Sequence, residues 1–402
     1  MDNLTHSLFG AAIAEVYVEN KFKNSAFRPH KNIFYFFSIF ANSCPDLDLF
    51  FGLIDNSSIG YMLNHRGWTH TVAGTIPQIV LLMGAAWMWL RFMRQDLMIY
   101  FKDIVLLLFF GLQAHMLLDF FNSYGVHPWS PLDNTWYYLD SIFIIEPLLW
   151  FALISIWLPP WKWRLALLIP PLAAYAFGWW NEFVSTAVAL AAVVFASFAF
   201  NLQRYLLKVH RGAMGLFLFF AVVLTFWGSQ HWARLRIMDE LSKNTSQKTL
   251  DLVLFSLPSN PTCWFFLAPQ VLETQYSVTH GSISLFGNSR DCKSWPRKNE
   301  EQPSNAQQSS LGELWIRQRW QATLTDLQPL LERCDVQAWL QFARVPFWEN
   351  SVLNDLRFST RNGNNMTTHD LNKWPQPVCP VLKVPWQPPR QDLIDLVNAI
   401  PR

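Results

Sequence analysis

Residues 101–121, FKDIVLLLFFGLQAHMLLDFF, are one of the apolar segments that determine the fold of this chain. The segment is about as long as an α-helix must be to cross the hydrocarbon core of a bilayer. His115 and Asp119 are four residues apart within it, so both side chains lie on one face of the helix and can bind one ion. The alternative is a buried His–Asp pair that is retained for packing.

Apolar residues also dominate most of the remaining chain. The 402 residues are 51% hydrophobic and 16% aromatic but only 15% charged, which predicts an integral membrane protein whose first partner is the lipid bilayer. The net charge is +2 and no basic run is present, so we do not expect a nucleic acid partner. Further segments that are long enough, or nearly so, to cross a bilayer lie near 33–54, 72–92, 142–158, 162–178, 182–200 and 213–232, after a shorter one at 4–19.

Lys and Arg residues cluster in alternate connections between these segments, and the positive-inside rule places those connections in the cytoplasm. The other connections, 55–71, 122–141 and 179–181, and residues 235–402 are then outside it. We therefore expect a multi-pass protein of a bacterial inner membrane with an extracytoplasmic C-terminal domain. The clustered residues are Lys21, Lys23, Arg28 and Lys31; Arg91, Arg94 and Lys102; Lys162 and Arg164; and Arg204, Lys208 and Arg211.

The composition changes after residue 234, where Pro, Ser, Asn and Gln become frequent. Alternating apolar and polar residues at 275–279 and 282–286 predict strands, and 287–310 is typical of a polar loop. The predicted fold is a mainly α polytopic membrane bundle, residues 1–234, followed by a β-rich or α+β domain, residues 235–402. That domain contains Cys263, Cys292, Cys334 and Cys379, which favours one or two disulfides over a zinc site because no Cys-x-x-Cys spacing occurs.

Several further His and Asp residues lie on the predicted outer side. The stretches THSLFG (5–10) and THTVAG (69–74) echo each other, each with a glycine that lets another helix approach its imidazole-bearing turn. Pro45 starts a turn that contains two carboxylates, for which simple helix capping is the alternative. His65 to His70 could instead be an ordinary interfacial loop. The candidate ligands are His6, Asp46, Asp48, His65, His70, His115 and Asp119.

These groups exceed what one tetrahedral ion needs, so we expect two divalent ions. Mixed imidazole and carboxylate ligands favour Zn²⁺ or Mn²⁺, with Fe²⁺ also compatible. Glu146 flanks another predicted helix start on the outer side, where it could be a base, a ligand or only a partner of the helix dipole.

The first third of the chain resembles the YdjM-like family of membrane-bound, metal-dependent hydrolases. The resemblance rests on Asp2-x-x-Thr5-His6-x-x-x-Gly10, Pro45-Asp46-x-Asp48, His65-Arg66-x-x-Thr69-His70, and His115-x-x-x-Asp119 followed by Ser123-Tyr124-Gly125. Shorter matches lie at 258–264, 276–285 and 355–357. The resemblance implies metal-dependent hydrolysis at a membrane, with the His and Asp residues of these motifs, including Asp2, as ligands.

Our leading hypothesis is a hydrolase that acts on a lipid or lipid-linked phosphoester at the outer face of the membrane. The ions would activate water and stabilise the leaving oxygen, Arg66 would lie near the developing negative charge, and Asp48, Asp2 or Glu146 would relay the proton. A metallo-amidase or peptidase would need the same ions. A non-enzymatic assembly factor that uses metal for structure is a rival of another class. A metal transporter is disfavoured because the inner halves of the predicted helices carry almost no charge.

Overall fold

A computed structural model describes residues 1–401 except 24–29, 54–58, 155–160, 182–183, 206–209, 293–308, 359–364 and 381–383. The N-terminal part is helical, as expected. Its α-helices are α1 (Asn3–Lys21), α2 (Lys31–Ser43), α3 (Gly60–Asn64), α4 (Val72–Met93), α5 (Phe101–Phe120), α6 (Pro147–Ile154), α7 (Trp161–Trp180), α8 (Thr186–Tyr205) and α9 (Arg211–Asn244). Three 3-10 helices accompany them at Cys44–Leu53, Trp68–His70 and Gln95–Tyr100.

The C-terminal part contains two antiparallel sheets, which confirms the expected β-rich domain. The larger sheet has the strand order β1-β3-β4-β6-β5, with β2 also paired to β3, and the smaller one has the order β7-β8-β9. The two patches predicted as strands, 275–279 and 282–286, lie in one strand that ends at Ser284. The strands are β1 (Lys248–Thr249), β2 (Val253–Leu257), β3 (Asn260–Leu272), β4 (Gln275–Ser284), β5 (Ser309–Leu311), β6 (Leu314–Thr323), β7 (Pro346–Glu349), β8 (Val352–Asp355) and β9 (His369–Asp370), and the helices are α10 (Leu324–Leu327), α11 (Cys334–Leu340) and α12 (Gln391–Asn398).

The apolar segments form helices with bounds that differ from the predicted ones. Segment 33–54 is not one α-helix: α2 ends at Ser43 and a 3-10 helix begins at Cys44, because Pro45 has no N–H to continue the α-helical hydrogen bonds. Segment 142–158 becomes helical only at Pro147, and 155–160 lie outside the described residues. Among the described residues, three helical stretches are long and apolar enough to cross a membrane: Val72–Met93, Gln95–Phe120 and Arg211–Asn244.

The long helix α9 joins the membrane bundle to the larger sheet. The predicted segment ended near residue 232, whereas the helix continues to Asn244. Its buried residues Phe226 and Ile237 share one apolar core with Trp264 and Phe266 of β3. The larger sheet therefore packs directly on the same helix that crosses the bundle.

Three of the four basic connections meet at one end of the bundle. Lys21, at the end of α1, forms an ion pair of 2.6 Å with Asp103 at the start of α5. The backbone N–H of Arg211, at the start of α9, donates to Glu19 of α1 at 2.8 Å. Arg28 and Lys208 of the predicted cytoplasmic clusters lie outside the described residues, as does most of the polar loop 287–310.

Glycines bring helices α1, α2 and α5 into close contact. A Cβ atom on Gly10 of α1 would lie 2.8 Å from the carbonyl oxygen of Ser38, and one on Gly111 of α5 would lie 2.7 Å from Cβ of Ala41. Helix α2 therefore packs against the backbones of both α1 and α5. Gly74 differs from the expectation, because it admits the carbonyl of Trp68 rather than another helix.

Two disulfides join residues of the C-terminal part, as the cysteine count predicted. Cys263 of β3 pairs with Cys292, and Cys334 of α11 pairs with Cys379. Cys44 is a free thiol.

Gly111→Ala and Gly84→Ala make a matched pair that tests this helix packing. Nothing lies within 4 Å of a Cβ on Gly84, so Gly84→Ala should leave the melting temperature unchanged or raise it through helix propensity. Gly111→Ala should lower it, because overpacking costs about 1–3 kcal/mol. Thermal unfolding in detergent, followed by circular dichroism, measures both. Equal shifts would contradict the packing of α2 on α5.

Candidate metal centre

Four elements bring the candidate ligands together at the end of the bundle opposite the basic connections. His6 lies on α1, and Asp46 and Asp48 lie on the 3-10 helix that begins at Cys44. His70 is the last residue of the 3-10 helix Trp68–His70, and His115 and Asp119 lie on α5. Because α2 and the 3-10 helix after it pack against α1 and α5, these side chains reach one common space.

Four ligand atoms in this space have the spacing of a tetrahedral site. Nε2 of His70 and Nε2 of His115 are 2.9 Å apart. Oδ1 of Asp46 lies 3.4 Å and 3.5 Å from these nitrogens, and Oδ2 of Asp119 lies 3.3 Å and 3.4 Å from them. An ion with metal–ligand distances of about 2.0–2.1 Å separates tetrahedral ligand atoms by about 3.3–3.4 Å. The four distances between carboxylate oxygens and nitrogens are close to this value, whereas the 2.9 Å between the two nitrogens is shorter and would widen around such an ion.

The partners of the other ring nitrogens fix how the two imidazoles are presented. Nδ1 of His115 donates to the backbone carbonyl of Asn42 at 2.7 Å, since a carbonyl can only accept. The Thr69 hydroxyl donates to Asp48 at 2.6 Å, so its oxygen is free to accept from Nδ1 of His70, 2.9 Å away. With these partners, the lone pair of each Nε2 points toward the other Nε2. Two lone pairs can face each other at this distance only with a positive charge between them. Such orientation of His ligands by carbonyl and carboxylate groups is the usual arrangement at metal sites.

When no ion is bound, a proton on His70 supplies the positive charge between the two Nε2 atoms. Burial lowers the pKa of this imidazole, but hydrogen bonds to Asp119, Asp46 and Asp48 outweigh burial and raise the pKa to about 10. Without a bound ion, the imidazole therefore carries a proton at neutral pH. A cation that binds here replaces that proton and satisfies the same carboxylates.

A second group of ligands shares Asp46 with the first. Asp46, Asp48 and His65 offer ligand atoms that lie within 4.8 Å of one another. Nδ1 of His65 is 2.9 Å from Oδ1 of Asp48. Burial lowers the pKa of His65 despite that carboxylate, which favours the neutral imidazole that a metal needs. The side chains of Asp46 and His65 are 11% and 10% exposed, whereas His70, His115 and Asp119 are fully buried.

His6 lies at the edge of the cluster, beside His115 and Asp119. Its ring stacks on that of His115 with 3.9 Å between ring centres, and its Nδ1 is 3.3 Å from the side-chain oxygen of Asn42. Its Nε2 is 3.5 Å from Oδ1 of Asp119 and, within the described part of the chain, has no hydrogen-bond partner. Oδ2 of Asp119 instead faces Nε2 of His70 and Nε2 of His115 at 3.3 Å and 3.4 Å. A buried nitrogen without a partner beside a carboxylate is what an unfilled ligand position leaves.

Arg66 lies beside the cluster, with its backbone in the left-handed region at φ 59°. Its Nη2 donates to Oδ1 of Asp119 at 2.6 Å, and its backbone N–H donates to Asp48 at 3.0 Å. Its Nη1 donates to the carbonyl of Gly125 at 3.1 Å. The guanidinium is therefore bound to the ligand Asp119 and to the loop after α5.

Asp2 and Glu146 are not brought into the cluster. The carboxylate of Asp2 accepts from the backbone N–H of Thr5 at 2.9 Å and caps α1. Glu146 is fully buried and accepts from the N–H and the hydroxyl of Ser259 at 2.8 Å and 3.0 Å. It therefore joins the start of α6 to the turn between β2 and β3, a contact that fixes its side chain away from the ligands.

Sequence reasoning gave no role to three residues around the cluster, although Thr69 stands in one of its motifs. The polar side chain of Asn42 on an apolar helix was a signal for its contact with His6, whereas its contact with His115 uses the backbone carbonyl. Thr69 orients His70 and Asp48. His127 is fully buried in the loop after α5, with its ring 4.7 Å from that of Trp136 and 4.4 Å from that of Trp386.

Comparison with known protein families gives a match over the helical part of the chain. A family model described as YdjM inner membrane protein matches residues 1–234, which contain every ligand of the cluster. No curated protein and no solved structure matches the chain significantly.

Metal binding should release a proton. Because His70 is protonated below a pKa of about 10 when no ion is bound, the apparent affinity for Zn²⁺ should increase with pH, by up to about tenfold per unit, until that pKa is reached. Calorimetric titration at pH 7 in buffers of different ionisation enthalpy measures the number of protons released. A binding enthalpy that is the same in every buffer would contradict a protonated His70.

Proposed function

This chain belongs to the YdjM inner membrane protein family, and we propose that it is a metal-dependent hydrolase of a lipid or lipid-linked phosphoester at the outer face of the membrane. The observation that carries the proposal is the pair of buried imidazoles whose Nε2 atoms face each other at 2.9 Å between two carboxylates. Such a pair needs a positive charge, and its surroundings have the chemistry of a divalent metal site.

Two ions suit the ligand groups. His70, His115, Asp46 and Asp119 would hold the first, and Asp48 and His65 would hold the second, with Asp46 shared. Nitrogen and carboxylate ligands without thiolates favour Zn²⁺ or Mn²⁺. Ions bound there would supply Lewis acidity, which polarises a phosphoester and acidifies water.

The residues near the exposed edge handle the proton and the substrate. Asp48 accepts hydrogen bonds from Thr69 and Arg66 and is 2.9 Å from Nδ1 of His65. Asp48 would accept the proton of water held at the centre, while His65, whose Nδ1 faces Asp48, would keep its other nitrogen for the second ion. Arg66 keeps Asp119 in place and adds positive charge beside it.

Exposed apolar side chains around Asp46 support a lipid-like substrate. Leu47 and Phe50 follow Asp46 on the 3-10 helix and are 47% and 64% exposed, and Trp68, next to the ligand turn, is 54% exposed. Among the ligands, Asp46 and His65 have some exposed side-chain surface, and these apolar side chains lie near them. Such an arrangement suits a substrate that enters from the bilayer and places its ester group at the metal centre.

The burial of the ligands favours a second candidate, a metal-stabilised assembly factor without turnover. Three of the four residues of the first group have no exposed side-chain surface. Structural metal sites are closed, whereas catalytic sites keep a position for water or substrate. Turnover of a substrate separates the two candidates.

Purified full-length protein loaded with Zn²⁺ or Mn²⁺ should release the alcohol or phosphate of a lipid phosphoester in detergent micelles. His70→Ala should retain less than about a hundredth of that activity and lose bound metal, whereas His231→Ala, an exposed histidine of α9, should retain both. Mass spectrometry of products and plasma emission analysis of metal measure the two properties. Cleavage of lipid-linked amides alone would favour the amidase alternative, and stoichiometric metal without turnover would favour the assembly factor.

Reporter proteins fused to the C-terminus should show that residues 235–402 lie outside the cytoplasm. The start of α9 lies beside the basic end of α1, and the positive-inside rule then favours a helix that leaves the cytoplasm toward the sheet. An alkaline phosphatase fused after Arg402 should be active, and green fluorescent protein fused there should be dark. The opposite pattern would contradict the proposed outer location of the metal centre.

A further inference from the structure

The loop Ser123–Gly125, directly after α5, is held between two arginines from distant parts of the chain. On the side of the metal centre, Nη1 of Arg66 donates to the carbonyl of Gly125 at 3.1 Å, and its guanidinium lies 4.4 Å from the ring centre of Tyr124. On the other side, Nη1 of Arg357 donates to the carbonyls of Ser123 and Tyr124 at 2.9 Å and 3.2 Å. Each residue of the loop therefore contacts at least one guanidinium.

Arg357 is held rigidly by its own domain. Nε and Nη2 donate to Oδ2 of Asp355 at 2.9 Å and 2.7 Å, and Nη2 also donates to the carbonyl of Phe342 at 2.9 Å. Asp355 in turn accepts from the backbone N–H of Arg344 at 3.0 Å. With its donors directed in this planar fork, Arg357 presents Nη1 to the loop in one orientation.

The loop has little freedom to adjust by itself. Gly125 has φ +88°, a conformation that L side chains rarely adopt, and a Cβ there would lie 2.2 Å from the ring of Tyr138. The ring of Tyr124 packs against Phe342 and Phe358 at 5.1 Å and 5.5 Å between ring centres. A shift of the C-terminal domain at this point would therefore move the carbonyls that Arg66 binds.

Arg66 connects the loop to the metal ligands. Its Nη2 donates to Asp119 at 2.6 Å and its backbone N–H to Asp48 at 3.0 Å. One carboxylate belongs to the first ligand group and the other to the second. Hydrogen bonds run from Asp355 through Arg357, the loop and Arg66 to both groups.

We propose that Arg357 is a positioning residue of the metal centre, which acts through the loop Ser123–Gly125 and Arg66. The C-terminal domain then sets the metal affinity of a site to which none of its described residues contributes a ligand. This inference rests on the metal binding in the proposed function but not on hydrolysis. Partners beyond the ligands of a metal site commonly change affinity by about 10–100-fold, and we expect an effect of that size.

The test compares full-length variants in detergent by titration with Zn²⁺ alone, in competition with a chromophoric chelator. Arg357→Gln should weaken Zn²⁺ binding about 10–100-fold. Arg357→Lys should weaken it as well, because a lysine cannot keep the fork to Asp355 while it binds the loop. Arg333→Gln is the matched control: Arg333 also pairs with a buried aspartate of the same domain, Asp335, at 2.7 Å, but does not contact the loop. It should leave the affinity unchanged.

A double-mutant cycle separates positioning from general loss of structure. If Arg357 acts through Arg66, the loss of affinity in the double variant Arg66→Lys with Arg357→Gln should be smaller than the product of the two single losses. Multiplicative losses, or equal affinities for Arg357→Gln, Arg357→Lys and Arg333→Gln, would overturn the inference while the metal site stands. A wild-type protein that binds no Zn²⁺ would overturn the proposed function and this inference together.

Discussion

Three carboxylates close together at one end of an apolar bundle are the constraint on which the remaining structure depends. Asp46, Asp48 and Asp119 come from two elements, and their side chains are 11% exposed or less. An uncompensated buried charge costs several kcal/mol, so positive charge must be supplied locally. Arg66 and a protonated His70 supply part of it, and a divalent ion would supply more. The elements that carry His70, His115 and the aspartates converge because the charged and polar groups of each find their partners on the others.

The sequence contained enough information to predict this convergence but not its details. Apolar segments and the positions of Lys and Arg placed His6, His65, His70, His115 and the aspartates on one side without reference to their chemistry. The structure brings them together. The even number of cysteines in the C-terminal part likewise predicted disulfides, and two are present.

Other features depended on contacts that have no local signature. The carbonyl that orients His115 belongs to the backbone of Asn42, and any residue at that position would offer a carbonyl. Glu146 was a reasonable candidate from its place before α6, but its partner, Ser259, is 113 residues away in a turn of the sheet. Arg66 was expected near developing charge in a substrate, whereas its guanidinium binds the ligand Asp119. Distant partners decided each role.

The two parts of the chain form a continuous structure around the centre. Helix α9 shares one apolar core with the bundle and the larger sheet. Arg344 of the C-terminal part forms a buried ion pair with Asp140 at 2.8 Å, and its backbone N–H donates to the carboxylate that holds Arg357. The N-terminal part supplies the ligands, and Arg357 of the C-terminal domain binds the loop Ser123–Gly125 next to them.

X-ray absorption spectroscopy of the Zn²⁺-loaded full-length protein tests the central claim most directly. Our account predicts a shell of nitrogen and oxygen ligands at about 2.0–2.1 Å with the outer-shell scattering of the imidazoles of His65, His70 and His115, and weaker imidazole scattering in His115→Ala. A six-coordinate shell of oxygen atoms without imidazole scattering, or a spectrum that is unchanged in His115→Ala, would contradict it.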